Sequence, residues 1–323
     1  MTAVASLPTV SSTPTPEEIR ALPPLERLVW VEHVRVAYPR WKLIQDEITR
    51  CHQMNTMAAE PQCMLVTGPT GAGKTTLIET YVRRYPPEFT ESGTHRPVVM
   101  ATIPSPATIG NLTTSLLYAL GDPLAGRGTI GAQTHRVMSY FRDCGTQLLI
   151  LDELQHFVDR DSAKVLQNAS NWLKTLIKET KVACVLVGLE GEAEQVVDIN
   201  PQLARLFGDP YVLTPFRWDP DDPRTMDEFR RLMYEIEIRL PLNEPSDLSS
   251  LDTAARCYAA SNGTISYLMA LVRRATHLAL LGGHERLDHT LLAQAFDQRL
   301  AGSRRAVQNP FRDEADEDGW GGG

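Results

Sequence analysis

The sequence predicts an α/β fold, with a parallel sheet covered on both faces by helices, followed by a small α-helical domain. Three observations carry that expectation. Short, nearly continuous apolar runs alternate with amphipathic helical stretches between residues 61 and 222, the pattern of strands buried on both faces. A glycine-rich turn over residues 68–75 joins the first apolar run to a helical stretch. Beyond Pro223 the strand pattern stops and only helical periodicity remains.

Taken in order, residues 1–14 are rich in Ser, Thr and Pro and read as a disordered arm. Residues 15–60 form a helical lead-in. It opens on the capping box Thr15-Pro16-Glu17-Glu18, continues through Leu25–Ala37, breaks at Pro39 and resumes from Trp41 to Met54. The α/β region, 61–222, then offers strands at Cys63–Thr67, Val98–Ile103, Leu148–Leu151 and Val182–Val187. Helices are expected at Thr75–Tyr85, around Ile109–Leu120, in the stretch closing at Gly145, and at Ala163–Thr180. Residues 223–301 carry four helical patterns, and 302–323 is expected to be a disordered tail, basic at Arg304 and Arg305 and acidic from Asp313 to Asp318.

Bulk properties exclude more than they select. The 323 residues carry a net charge of −8 and are 42% hydrophobic, an ordinary globular composition that argues against a simple nucleic-acid binder. No apolar run is long enough for a transmembrane helix, and the first residues lack a secretory pattern, so no membrane association and a cytoplasmic location are expected. The five cysteines are scattered, which speaks against a zinc site or a disulfide framework.

The chemistry concentrates in two segments. Gly68-Pro69-Thr70-Gly71-Ala72-Gly73-Lys74-Thr75 is a full GxxxxGK[ST] match placed between a strand and a helix, and Thr76 continues it into the helix. Glycines let backbone N–H groups turn toward phosphate oxygens, and the helix N-terminus adds the positive end of its dipole. Lys74 is expected to reach the β- and γ-phosphates of ATP and the Thr75 hydroxyl to coordinate Mg²⁺. The second segment, Leu148–Glu153, is an apolar strand ending in two acids. Asp152 is expected to hold Mg²⁺ and Glu153 to polarise the attacking water, an arrangement for hydrolysis. Merely capping the next helix is the plainer role for these acids. Arg205, at the end of a short helix after the last strand, is read as a group that points into a neighbouring subunit's site, against the plainer reading of a surface salt bridge. In other systems such a group is worth roughly 10³–10⁵ in rate.

With a P-loop, an Asp-Glu strand, Arg205 and a helical lid in that order, the chain resembles an AAA+ ATPase. Trp218 after Thr214-Pro215-Phe216-Arg217, Leu240-Pro241-Leu242, Pro245-Ser246-Asp247-Leu248, Ser261-Asn262-Gly263-Thr264-Ile265 and Leu22-Pro23-Pro24-Leu25-Glu26-Arg27 narrow the resemblance to the TniB/TnsC transposition ATPases. The resemblance, over about residues 15–300, implies a ring or helical filament of this chain on duplex target DNA. It also implies a link between a TniQ-type target selector and a DDE transposase, with ATP hydrolysis controlling disassembly. It places the DNA contacts in the segment after the second strand, Pro104–Gly131, where Thr108, Asn111 and Arg127 are candidates; Thr108 and Asn111 equally suit a helix cap. Two positions depart from the family pattern. Leu189 stands where a polar residue would orient water, leaving Glu190 or a neighbour as substitute, and Ser266 stands where a lid arginine would sense the γ-phosphate, leaving Arg273 or Arg274 as substitutes. The competing readings are an adaptor ATPase that assembles protein partners without DNA, and a general P-loop enzyme such as a kinase.

Overall fold

A computed structural model describes residues 14–55, 57–91, 93–158 and 163–312. The expected arm up to residue 13 and the acidic run from Asp313 lie outside the described residues. The chain forms two compact units, one of residues 37–214 and one of the residues before 37 together with those after 214. The expected 15–60 lead-in is therefore not a single piece. The extended stretch between its helices divides it between the two units, and Pro39 opens the second helix instead of merely ending the first.

In the 37–214 unit, α3 (Pro39–Asn55; α1 and α2 belong to the other unit) leads into β1 (Cys63–Thr67) and α4 (Lys74–Val82). A small antiparallel hairpin, β2 (Glu88–Thr90) and β3 (Gly93–His95), precedes β4 (Val98–Thr102), α5 (Ile109–Leu120), α6 (Ile130–Asp143) and β5 (Leu148–Asp152). A 3-10 turn at Leu154–Phe157, α7 (Ala163–Thr180), β6 (Ala183–Gly188), α8 (Ala193–Asp198), α9 (Pro201–Phe207) and the two-residue β7 (Tyr211–Val212) complete it. The sheet runs β4-β5-β6-β1-β7, every pairing parallel. β1 pairs β6 in the register Leu65↔Leu186, and β5 pairs β4 through Leu149↔Val99.

This order follows from the apolar runs. All of β5 and β6 is buried, so neither strand can sit at an edge or face water on one side. Leu112, Leu116, Val137, Phe141, Leu173 and Ile177 pack one face of the sheet. Ile44, Ile48, Leu77, Ile78 and Tyr81 on α3 and α4 are buried as well, and α3 packs against β1, β6 and α4. The chain leaves β1 for α4 and returns at β4, on the far edge, so the carboxyl end of β1 is a point where the strand order reverses and ligands are received.

The other unit is helical. Thr15 and Glu18 cap α1 (Pro16–Arg20) reciprocally, as the capping box predicts. On α2 (Pro24–Val31) the buried Arg27 meets Glu285 through two contacts of 2.7 Å and donates to the Pro241 carbonyl at 2.9 Å. Those hydrogen bonds hold the Glu285 carboxyl below its usual range. The helices α10 (Pro223–Glu237), α11 (Leu251–Ser261), α12 (Ile265–Leu281) and α13 (His289–Arg299) account for the family-like phrases as packing devices. Gly263, at φ 68, lies so close to Phe216 that an added Cβ would sit 2.1 Å from its carbonyl oxygen. Trp218, Phe229 and Tyr258 form a mutual ring cluster beside it.

Residues 302–312 are not the disordered segment the composition predicts. Phe311 is buried, Arg256 donates to the Pro310 carbonyl at 2.9 Å, and Asn309 donates to the Ala293 carbonyl at 2.9 Å. One aromatic anchor flanked by hydrogen bonds suffices to lay this strap on α11 and α13.

Candidate nucleotide site

The site is built where β1 and β5 end. Gly73, at φ 95, turns the chain out of the loop and into α4, a backbone geometry in which a Cβ is strained. At the other end of the loop, a Cβ on Gly68 would approach the Leu213 carbonyl oxygen to 2.4 Å, so the loop is pressed against the chain after β7. Lys74, first residue of α4, is buried, and its Nζ donates to the carbonyls of Gly68 (2.7 Å) and Pro69 (3.0 Å). The next residue, Thr75, donates from its hydroxyl to Asp152 Oδ2 at 2.7 Å. Thr76 is half-buried in the first turn of α4.

Burial governs the charges. It pushes the Lys74 ammonium below its ordinary pKa, against the pull of Asp152 and Glu153. It also pushes the Asp152 carboxyl above its ordinary value, against the Thr75 hydroxyl and the Glu153 N–H that bond to it. A buried ammonium and a buried carboxylate both gain from charged ligands of opposite sign. Polyphosphate beside Lys74 and a hard divalent cation beside the Thr75–Asp152 oxygens fit this donor set. Glu153 begins the turn that leaves β5 and is left-handed, at φ 64 and ψ 40.

The structure brings Lys74, Thr75, Asp152 and Glu153 together. It does not do so for the remaining candidates. Arg205 is exposed in the last turn of α9, and no partner for its side chain is found among the described residues. Thr108 is the cap of α5, accepting from the Asn111 N–H at 3.0 Å, and Asn111 donates from Nδ2 to the Pro106 carbonyl at 2.9 Å. Arg127 is exposed on the loop before α6, a loop held by Arg136 through Asp122 and the carbonyls of Leu124 and Arg127. Ser266 is exposed on α12. Of its two candidate substitutes, Arg273 donates to the Val34 carbonyl at 3.2 Å and Arg274 to Gln298 at 2.7 Å.

Sequence reasoning passed over Gln155 and His156. Gln155 donates to the Glu153 carboxylate and accepts from the Leu189 N–H at 3.1 Å, while His156 Nδ1 donates to the Ile103 carbonyl at 2.7 Å. The only local signal is two polar residues one position beyond the acids, after Leu154.

Comparison with known proteins agrees with this architecture. A family model described as "Bacterial TniB protein" matches residues 27–217. The chloroplastic chaperone protein ClpB2 of Oryza sativa subsp. japonica is 25% identical over 171 residues, which is 53% of this chain and 16% of that protein. The chain thus spans about a sixth of that relative's length. Among solved structures, the Aeropyrum pernix ORC1 protein in complex with DNA superposes with a TM-score of 0.60 at 17% identity, covering 84% of this chain and 69% of that one. The Cdc6p of Pyrobaculum aerophilum gives 0.58 at 16%, covering 82% and 68%. The ORC2 protein of A. pernix, in its ADPNP–ADP complexes, gives 0.57 at 16%, with the same coverages. These likenesses establish the fold, that of the P-loop AAA+ ATPases.

Proposed function

The chain belongs to the TniB family, and from that premise we propose that it is an ATP-hydrolysing, DNA-binding regulator of transposition. The observation that carries the reading is the meeting of Lys74, Thr75, Asp152 and Glu153 beyond the carboxyl ends of β1 and β5, two strands of one sheet with β6 between them, in a chain of this family. Lys74 and the N–H groups of residues 68–76 bind and orient the triphosphate. Thr75 and Asp152 hold Mg²⁺, which when bound neutralises phosphate charge. Glu153 accepts a proton from the attacking water at its free carboxylate oxygen. Arg205, exposed and without a partner among the described residues, serves a neighbouring copy's site within a ring or helical filament.

On duplex target DNA the assembled protein links a TniQ-type target selector to a DDE transposase, in the cytoplasm; among the described residues no helix is long and apolar enough to cross a membrane. Arg127 is the principal phosphate contact. Thr108 and Asn111 contribute only the protons that their capping bonds leave over. That prior engagement, with the net charge of −8, favours the second reading, an adaptor ATPase that assembles protein partners without DNA. Titrating labelled duplex at several salt concentrations, with and without a nonhydrolysable ATP analogue, separates them. Binding is expected to require the analogue, to ignore sequence and to lose about 0.9 in log–log salt slope per phosphate contact removed by Arg127→Ala. Absence of binding under every condition transfers the reading to the adaptor.

A further inference from the structure

A hydrogen bond from the side chain of Gln155 ties the end of β6 to the turn after β5. Gln155, in the 3-10 turn after Glu153, accepts the Leu189 N–H on Oε1 at 3.1 Å and donates from Nε2 to Glu153 Oε2. Its orientation is forced. A backbone N–H can only donate, so the amide end facing Leu189 must be the oxygen, and the NH₂ is left facing the carboxylate. Space for the amide exists because residue 188 is glycine. A Cβ there would lie 3.1 Å from Gln155 Oε1 and from Leu154 Cβ, and 2.8 Å from Ala193 Cβ. The turn is pinned from its other side by His156, whose Nδ1 donates to the Ile103 carbonyl at 2.7 Å and whose Nε2 stands 3.9 Å from Glu153 Oε2.

We propose that Gln155 is a positioning residue for hydrolysis, an amide strut between the backbone at the end of β6 and the Glu153 carboxylate. Residue 189 presents an aliphatic side chain at that strand end, so the polar group available there comes from the neighbouring turn instead. The strut engages one carboxylate oxygen and leaves the other to accept a proton from water. It also restrains the rotamer of an otherwise half-exposed carboxylate. The inference rests on the hydrolytic reading of this site and adds to it the element that fixes the base.

Two substitutions separate the two ends of the strut. Gln155→Met keeps the length and loses both hydrogen bonds. Gln155→Glu keeps the acceptor for Leu189 and sets a like charge against Glu153. Both are expected to lower kcat, by about 10–100-fold given that loss of one oriented donor costs up to 10²–10³. KM for ATP and the Kd of a nonhydrolysable analogue should stay within about twofold, since no phosphate contact is touched. Hydrogen exchange at the Leu189 amide, a readout independent of turnover, should quicken in Gln155→Met and stay slow in Gln155→Glu. In a Glu153→Gln background, Gln155→Met should add no further loss of rate, because the two residues act as one unit.

An unchanged kcat in both variants, an equal loss of nucleotide affinity, or full additivity with Glu153→Gln overturns the proposal. If Gln155→Met does not fold, Gln155→Glu and its Leu189 exchange carry the test. An inactive Glu153→Gln beside a fully active Gln155→Met refutes the strut alone. Undiminished turnover in Glu153→Gln refutes the hydrolytic assignment itself, and the strut with it.

Discussion

The 37–214 unit and the helical unit use their polar residues in opposite ways. In the first, charges are buried against their own preference: a lysine and an aspartate whose ionised forms are both disfavoured by burial, followed by a glutamate in a left-handed backbone. In the second, a buried charge has its counter-charge, with the two terminal nitrogens of Arg27 clasping Glu285 and a backbone carbonyl while its Nε is left without a partner among the described residues, and close contacts are made by glycine and aromatic rings. The phrases behind the sequence resemblance, most of them beyond the residues 27–217 that the family model matches, therefore hold the fold, while the P-loop forms the candidate nucleotide site.

The hardest test of that division is Lys74→Ala. It should weaken ATP binding by at least about 100-fold, since charge-assisted bonds to phosphate are lost, while thermal stability is kept or raised. Calorimetry and a melting curve together would break the comparison if the fold collapsed or the affinity survived.

Gly263→Ala should do the reverse, costing roughly 2–4 kcal/mol in denaturant unfolding through a left-handed alanine driven into the Phe216 carbonyl, with nucleotide affinity unaltered. A smaller loss, about 2–3 kcal/mol, is expected for Arg27→Ala, because Glu285 keeps 32% side-chain exposure and can recover some hydration. The sign of its pH dependence follows from the depressed carboxyl. Stability from this pair is present above the unfolded pKa and is lost as pH falls through the lower folded one. The gap between wild type and Arg27→Ala should therefore close below about pH 4. A gap that widens in acid would show that the pair is not the source.

The least effect is expected at the carboxyl end. Truncation after Leu300 should cost about 1–2 kcal/mol, the burial of Phe311 less the ordering of its flanks. Truncation after Arg312 should leave unfolding unchanged. Equal behaviour of the two truncations would return residues 302–312 to the status of a loose tail.

The sequence made legible whatever is local. Four of the five strands, the phosphate loop and the two acids of β5 were readable because apolar runs, glycine spacing and an Asp-Glu ending are each contained within eight residues. The fifth strand, β7, is two residues long, and the β2–β3 hairpin is exposed and polar, so neither carries a periodic signal. What joins distant positions was not readable. Gln155 acquires its role from an N–H at residue 189, and Gly263 from a carbonyl at residue 216. The Thr108 cap was foreseen as an alternative because its partner lies three residues on. The strap at 302–312 carries no such signal, because its composition is polar and one phenylalanine anchors it.

The backbone of Glu153 carries a consequence for redesign and for drift. At φ 64 and ψ 40 it occupies a region where asparagine or glycine is at ease and a glutamate costs about 1 kcal/mol. The side chain that best suits the fold at this position is thus one without a carboxylate. A programme that selects variants for melting temperature alone would arrive here early and return a sturdier protein without the carboxylate proposed for hydrolysis. A lineage released from the need for hydrolysis should relax at residue 153 before the surrounding sheet registers any change.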